Sequence, residues 1–143
     1  MKYKTSIEQQ TIKLGEKIAK QLSGGEILLL QGELGSGKTI FVKGLAKGLG
    51  IRKIVTSPTF VLFKVYPVKN NKKIKQLVHV DCYRLKDGRE VMEAGLEDYL
   101  FRPDTVTVVE WGNKIKKFVN DYQEVKFKII DNKREIEIWK TKN

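Results

Sequence analysis

Residues 32–39, with the sequence GELGSGKT, constrain the fold more than any other stretch of the chain. They match the pattern G-x-x-x-x-G-K-[S/T], lie after an apolar run at residues 27–30 and precede a helical pattern from Ile40 onward. Glycines allow such a loop to curl so that successive N–H groups point into one hollow at a helix N-terminus, where phosphate oxygens are favoured. The stretch therefore predicts a phosphate-binding loop between a strand and a helix.

Two side chains of this loop carry chemistry. Lys38 can reach the outer phosphates of a nucleotide, and the Thr39 hydroxyl can hold magnesium. A glycine-rich turn that happens to precede Lys-Thr is the structural alternative, and the flanking strand and helix count against it. The sequence therefore predicts a nucleotide-binding protein.

Length and composition limit the remaining possibilities. The chain has 143 residues, 41% hydrophobic and 31% charged, which is typical of one globular domain spanning residues 1–143. No stretch is apolar for long enough to span a membrane, and the first six residues pass into an amphipathic helix without an apolar signal core. The single cysteine, Cys82, allows no internal disulfide framework. We expect a cytoplasmic protein without membrane association.

The strongly basic charge has two interpretations. Lys plus Arg number 28 against 17 acidic residues, a formal charge of +11. Such an excess can attract a polyanion such as RNA, or lysine can simply be the preferred surface residue of this chain. The lysines lie in every segment of the chain. A base-stacking surface would need aromatic residues interleaved with them, and the sequence shows none in that arrangement. The charge alone therefore does not predict tight nucleic-acid binding.

Hydrophobic periodicity predicts alternating helices and strands. An apolar stripe predicts a first helix over residues 6–22, with Ser6 and Gln9 at capping-box spacing. Asn113 is predicted to cap a short helix that ends at Val119. The other predicted elements are strands at 26–31, 60–66 and 106–110, a helix at 38–49, a helical pattern at 87–100 interrupted at Gly95, and hairpins formed by 61–68 with 75–82 and by 125–130 with 135–139.

Two of the predicted strands end on carboxylates. Asp81 ends one strand and Glu110 ends the other. Beside a phosphate loop, one carboxylate is expected to help Thr39 hold magnesium while the other positions or deprotonates the attacking water. The residues alone do not decide which acid takes which task. His79 shares a strand face with Asp81, and we interpret it as a polar core group because no partner motif accompanies it.

The segment Ser57, Pro58, Thr59 and Phe60 leads into the third predicted strand. Pro58 favours an extended conformation at the residue before it. Loops at this point of nucleotide switches often sense the terminal phosphate through a Ser or Thr. A turn with local bonds between hydroxyls and backbone is the alternative, and residue chemistry does not decide between them.

Together these motifs resemble the TsaE (formerly YjeE) family. The resemblance rests on residues 32–39 (GELGSGKT), 57–60 (SPTF), 79–84 (HVDCYR) and the pair Glu110-Trp111, in that order, and extends from Thr11 to Arg134. Mild departures are Ser36, where alanine is common, and Gly112, where proline often follows. Members of that family are small bacterial ATPases needed to make threonylcarbamoyladenosine in tRNA, at the adenosine next to the anticodon.

The resemblance implies an α/β fold: a single-domain, P-loop NTPase-like three-layer fold with a mixed parallel and antiparallel sheet and a C-terminal β-hairpin. It implies Mg²⁺ as cofactor and bound ATP or ADP. It also implies TsaD and TsaB as partners, with tRNA reached indirectly through them. Lys38, Asp81 and Glu110 would be catalytic, with Thr39, Glu110 and Asp81 at the metal and residues 57–60 as a switch. The nucleotide would be bound by Gly35, Ser36, Gly37, Lys38, Thr39, Ile40, Thr11, Trp111 and Arg134.

Other functional classes stay open at this level. A small phosphotransferase would need a second substrate pocket and an arginine-bearing lid, for which only Arg84, Arg89 and Arg102 are candidates. A GTPase is disfavoured because the chain has no Asn-Lys-x-Asp guanine signature. An RNA-binding module could use the loop for backbone phosphates without catalysis. Magnesium-dependent hydrolysis that requires Lys38 would separate the ATPase from this last class.

Overall fold

A computed structural model describes residues 1–58 and 61–142. Seven strands form one sheet in the order β1-β7-β6-β2-β5-β4-β3. The strands are β1 (Lys2–Thr5), β2 (Ile27–Gln31), β3 (Phe63–Pro67), β4 (Gln76–Asp81), β5 (Thr105–Glu110), β6 (Asp121–Ile130) and β7 (Lys133–Lys142). The helices are α1 (Glu8–Ala19), α2 (Lys38–Gly48), α3 (Arg89–Val91) and α4 (Glu97–Leu100). A π-helical turn at Met92–Leu96 joins α3 to α4. Two 3₁₀ turns follow β5, at Gly112–Lys114 and Lys116–Phe118.

The four central strands, β6, β2, β5 and β4, are mutually parallel. Their carboxyl ends therefore meet at one edge of the sheet, which is where open α/β sheets bind ligands. Strand β7 is antiparallel to β6, so β7 begins at this edge. Strand β1 is antiparallel to β7, so β1 ends there. Strand β3 pairs antiparallel with β4, which makes the sheet mixed.

Each face of the sheet is covered by its own hydrophobic cluster. Alternate strand residues such as Leu28, Leu30 and Val108 pack against α1 and α2. The intervening residues, including Leu29 and Val109, pack against α3, α4 and the 3₁₀ turns. Strands buried on both faces are continuously apolar, as β2 is, because parallel sheets carry helices on both sides. The three-layer fold and the C-terminal hairpin of β6 and β7 confirm the predicted fold class.

The predicted hairpins and central strands are present, but two local predictions are wrong. Helix α1 begins at Glu8, and the Ser6 backbone N–H donates to Gln10 Oε1 (2.6 Å) rather than to the side chain of Gln9. The expected short helix is two 3₁₀ turns, and Asn113 lies inside the first of them without capping it. Gly95 interrupts the third helix as predicted, with a φ of 119°.

Strand β1 was not predicted. Within the described ranges its four residues pair with β7 alone, in a register that joins Thr5 to Arg134 across almost the whole chain. Only Thr5 among them is buried, so local hydrophobic alternation could not indicate the strand. In the described residues no helix is both long and apolar enough to cross a membrane.

Candidate functional site

A cavity of about 600 Å³ lies at the edge where the parallel strands end. The phosphate loop and the first turn of α2 form one wall, and the ends of β4 and β5 form another. The start of α1 and the turn before β7 complete it. Its lining includes Ser6, Ile7, Glu8, Thr11, Leu34, Gly35, Gly37, Lys38, Thr39, Ile40, Ser57, Asp81, Tyr83, Glu110, Trp111, Asn132 and Arg134. The volume lies in the range of small-molecule and cofactor sites.

Two glycines give the phosphate loop its shape. Gly37 immediately precedes α2 with a φ of 105°, a left-handed conformation that favours glycine. Gly32 lies against β6, where an added Cβ would come within 2.8 Å of the Phe127 carbonyl oxygen and 2.7 Å of Ser36 Oγ. Any larger residue there would displace the loop from the sheet. The loop thus delivers the N-terminus of α2 directly into the cavity.

Lys38 is held in place by the loop itself. Its ammonium donates to the backbone carbonyl oxygens of Gly32 (2.6 Å) and Glu33 (2.8 Å), and it lies 4.5 Å from the centre of the Trp111 ring. Burial lowers the pKa of Lys38 from its usual value, while the nearby carboxylates of Glu110 and Asp81 oppose that shift. A buried, pre-oriented cation beside a helix N-terminus favours a polyanionic ligand.

Glu110 lies between two side chains that come from different elements. Thr39 on α2 donates its hydroxyl to Glu110 Oε1 (2.8 Å). On the other side, His79 Nε2 on β4 lies 2.6 Å from Glu110 Oε2. Glu110 is 3% exposed and His79 is fully buried. The carboxylate is therefore fixed in orientation, with one oxygen turned toward the loop.

Asp81 has a different environment at the end of the neighbouring strand. Its Oδ2 accepts a hydrogen bond from the Ser57 hydroxyl (2.5 Å), and its Oδ1 accepts one from the backbone N–H of Tyr83 (2.9 Å). The residue is partly exposed and lines the cavity. Asp81 is thus tied to the segment before β3 rather than to the phosphate loop.

The outer edge of the sheet supplies the remaining wall. The hydroxyls of Thr5 and Thr11 are hydrogen-bonded (2.8 Å), which joins the end of β1 to the first turns of α1. Arg134, paired with Thr5 in the strand register, donates from Nη2 to the Gly35 carbonyl oxygen (3.0 Å). The unpredicted strand β1 therefore contributes a contact that holds Thr11 at the cavity.

The structure brings nearly all of the predicted site residues together. Those that line the cavity are Thr11, Gly35, Gly37, Lys38, Thr39, Ile40, Ser57, Asp81, Glu110, Trp111 and Arg134. Ser36 is buried beneath the loop, with its hydroxyl 3.5 Å from Lys38 Nζ. Pro58 lines an adjoining cavity of about 320 Å³ with Ser57 and Asp81. Thr59 and Phe60, the other two residues of the predicted switch, lie outside the described residues.

Sequence reasoning did not assign several residues that line the site. The Tyr83 ring lies 5.1 Å from the Trp111 ring, centre to centre, and both line the cavity. Trp111 has a φ of 59°, so the chain turns sharply after Glu110 and directs the indole toward Lys38. Asn132 belongs to a turn whose only sequence signal is a polar pair between two strands. His79 has a signal, its alternation with Asp81, but the sequence did not reveal Glu110 as its partner.

The residues at this edge fit the Mg²⁺ that the resemblance implies. Magnesium prefers oxygen ligands and usually takes one or two from the protein and others from substrate phosphates and water. Thr39 Oγ1 and Glu110 Oε1, 2.8 Å apart, supply such oxygens beside the loop. In residues 1–58 and 61–142 there is no group of three or more His, Cys, Asp or Glu side chains that could hold an ion without a substrate. The donor set therefore suits an ion shared with a phosphate ligand.

Known proteins are similar to this chain over most of its length. A family model described as threonylcarbamoyl adenosine biosynthesis protein TsaE matches residues 5–138. A Streptomyces coelicolor protein named tRNA threonylcarbamoyladenosine biosynthesis protein TsaE is 46% identical over 109 residues, covering 76% of this chain and 72% of the relative. The Bacillus subtilis protein of the same name is 35% identical over 149 residues, covering 95% of this chain and 90% of the relative.

A solved structure is also similar to this chain in its fold. A crystal structure of Bacillus subtilis YdiB is similar with a TM-score of 0.78 and 31% sequence identity. The match covers 100% of this chain and 86% of the YdiB chain. Because it extends over the entire chain, the match includes the outer strands as well as the phosphate loop.

Proposed function

The chain belongs to the TsaE family, which takes part in tRNA threonylcarbamoyladenosine biosynthesis, and we propose that it serves this pathway as a magnesium-dependent ATPase. The observation that carries the proposal is the convergence of the phosphate loop, the Thr39–Glu110 pair and Asp81 in one cavity. A loop and a cation alone would suit any phosphate. Two carboxylates beside them add a place for a metal ion and a group that can act on water.

Each residue then has a defined task. Lys38 and the N-terminal N–H groups of α2 bind the outer phosphates of ATP, and two carbonyl oxygens of the loop hold the Lys38 ammonium at the cavity before a nucleotide binds. Thr39 and Glu110 would hold Mg²⁺. The ion would supply positive charge that neutralises the charge developing on the phosphate during transfer. Asp81 orients the attacking water and accepts its proton, so that water replaces ADP on the terminal phosphorus.

The same cavity has a second wall suited to the rest of the nucleotide. Thr11, Trp111 and Arg134 line it away from the strand ends. The indole of Trp111 offers an apolar face near the phosphates, and Thr11 and Arg134 offer polar groups from the outer edge of the sheet. A few polar groups in an otherwise apolar cleft give orientation and specificity to a small ligand. We assign these residues to binding of ATP or ADP.

We propose TsaD and TsaB as the partners of this ATPase, on the basis of the family resemblance. In this scheme the TsaD–TsaB pair transfers the threonylcarbamoyl group to the tRNA adenosine next to the anticodon, and ATP hydrolysis by this chain supports turnover. The chain would then meet tRNA only indirectly, and its formal charge of +11 would favour association near an RNA polyanion. The site of action would be the cytoplasm.

Magnesium-dependent ATP hydrolysis, measured with and without TsaD–TsaB, tests the proposal. Wild type should hydrolyse ATP faster with the partners, and Thr39→Ala should lose that activity because the metal loses an oxygen ligand. Thr56→Ala is the matched control, since Thr56 is an exposed threonine that contacts Lys64 outside the cavity. Transfer of phosphate to a metabolite, or salt-sensitive RNA binding without nucleotide binding, would contradict the proposal.

A further inference from the structure

His79 is a fully buried titratable side chain next to the site, and the roles proposed above do not use it. It is fully buried on β4, on the sheet face covered by α1 and α2. Its Nε2 lies 2.6 Å from Glu110 Oε2. Its Nδ1 has no hydrogen-bond partner within residues 1–58 and 61–142. One ring nitrogen is thus committed to Glu110 and the other is unsatisfied.

An imidazole is a poor choice if this position only has to be filled. Two neighbours of His79 on the same sheet face, Leu77 and Val108, are fully buried and apolar, whereas the other two, Lys64 and Asp81, are polar and partly exposed. A buried nitrogen without a partner is unfavourable, and an apolar side chain would avoid it. The hydrogen bond to Glu110 is the one interaction in the described structure that compensates for the polar ring. The hydrogen bond to Glu110 is therefore the feature that accounts for a histidine at this position.

Glu110 itself needs a second partner. Its Oε1 accepts from Thr39, which leaves Oε2 directed into the sheet, where the residue is only 3% exposed. Without a donor there, the carboxylate would have to turn to find one, and Oε1 would leave its position beside the loop. An N–H group at 2.6 Å prevents that rotation.

We propose that His79 is a positioning residue that holds the Glu110 carboxylate in the orientation required for Mg²⁺ binding beside Thr39. This inference rests on the proposed function, because it assigns His79 a role at the same metal site. Hydrogen-bond partners of metal-binding carboxylates fix the orientation of those ligands, and their removal typically weakens metal binding by about 10–100-fold. The effect should therefore appear in metal affinity before it appears in nucleotide affinity.

The experiment measures Mn²⁺ binding to the ADP complex of the full chain by electron paramagnetic resonance. Metal-free ADP affinity and the thermal midpoint are measured in parallel. His79→Leu removes the donor and keeps an apolar filling. His79→Gln places an amide N–H near the position of Nε2, whereas His79→Asn carries the same amide one methylene shorter, out of reach of Glu110. Gln and Asn decide the question even if the leucine variant does not fold.

Thr107→Val is the matched control. Thr107 is 1% exposed on β5, its hydroxyl has no hydrogen-bond partner among the described residues, and it faces the opposite side of the sheet. This variant changes a buried polar side chain of the same sheet without touching Glu110. Its Mn²⁺ affinity should equal that of wild type.

We expect His79→Leu and His79→Asn to raise the Mn²⁺ dissociation constant about 10-fold or more, with metal-free ADP affinity unchanged, and His79→Gln to recover most of the loss. Equal Mn²⁺ affinity in wild type and in both amide variants would overturn the inference. Equal loss in the glutamine and asparagine variants would also overturn it, because reach to Glu110 would not matter. If wild type itself binds no Mn²⁺ with ADP, the proposed function fails instead.

Discussion

Asp81 and Glu110 occupy equivalent positions, since β4 and β5 are parallel and the two residues are register partners at their carboxyl ends. Their surroundings nevertheless differ. Glu110 is almost fully buried, between Thr39 of α2 and His79 of β4. Asp81 is partly exposed and is bound by the Ser57 hydroxyl and by a backbone N–H just beyond the strand. One carboxylate is built into the rigid core, and the other is joined to the segment that precedes β3.

The comparison explains how two similar acids can divide the work. A metal ligand benefits from a fixed orientation, which packing on both sides provides. A group that orients water benefits from access to the cavity and from contact with a segment that can respond to the terminal phosphate. The following predictions test this division, beginning with the largest expected effect.

Glu110→Gln should produce the largest loss. The amide keeps the shape of the side chain but removes the negative charge that faces the metal, so hydrolysis should fall by about 100-fold or more and Mn²⁺ affinity should fall with it. Steady-state hydrolysis and Mn²⁺ titration with ADP measure the two effects. Glu124→Gln is the control, because Glu124 is a buried carboxylate of the same sheet that contacts Lys116 and Gln31 instead. An unchanged Mn²⁺ affinity in Glu110→Gln would contradict the metal assignment.

Asp81→Asn should separate hydrolysis from metal binding. Loss of a group that accepts the proton of water typically slows a reaction by about 10²–10⁴-fold, and we expect the lower end because Lys38 and the metal remain. Mn²⁺ affinity should stay within about threefold of wild type, since Asp81 is not placed on the ion. Asp104→Asn, at the opposite edge of the sheet, serves as control. A parallel loss of metal affinity would remove the distinction between the two acids.

Ser57→Ala should have a smaller effect of the same kind as Asp81→Asn. It deletes the hydroxyl that donates to Asp81, and hydrogen bonds to charged groups contribute about 1.5–3 kcal/mol, which corresponds to roughly 10- to 150-fold in rate. We expect the lower end of that range because the Asp81 carboxylate itself remains. Thr56→Ala, one residue earlier and exposed, should be silent. If Ser57→Ala lowers Mn²⁺ affinity more than the hydrolysis rate, Ser57 acts on metal binding rather than on the water-orienting role of Asp81.

Arg134→Ala should have the smallest effect and should spare both carboxylates. Arg134 donates to the Gly35 carbonyl oxygen from β7, and among the described residues no hydrogen bond or ion pair joins it to Asp81 or Glu110. We expect ADP affinity to fall about two- to tenfold, the equivalent of one ordinary hydrogen bond, with no change in kcat. Isothermal titration with ADP measures the affinity, and the exposed Lys133→Ala is its control. A drop in kcat as large as that of Asp81→Asn would contradict this prediction, because Arg134 would then take part in the hydrolysis step itself.

The sequence predicted best those parts of the site that depend on residues close together in the chain. The phosphate loop is contiguous, and Asp81 and Glu110 each end an apolar run, so their meeting follows from parallel pairing alone. The wrong capping prediction at Asn113 concerned the finer geometry of a short turn. There, backbone geometry is set by the close approach of Gly112 to Leu29 of β2 rather than by side-chain capping.

What sequence could not predict depends on long-range pairing. Strand β1 exists because β7, more than 120 residues later, offers an edge, and only then do Thr5 and Thr11 meet. The partner of His79 was hidden for the same reason, since Glu110 lies 31 positions away on another strand. His79 was interpreted as a core group, and it is buried in the core as that interpretation requires. The structure adds its contact with the site.

A crystal structure of the chain with magnesium and a non-hydrolysable ATP analogue would show which carboxylate holds the ion. We expect the triphosphate in the loop formed by residues 32–39, and the ion on Thr39 and Glu110 with the His79 contact retained. Asp81 should be near the terminal phosphate and away from the ion. An ion held by Asp81 with Glu110 turned away, or an analogue bound outside this cavity, would contradict the roles assigned to the two carboxylates.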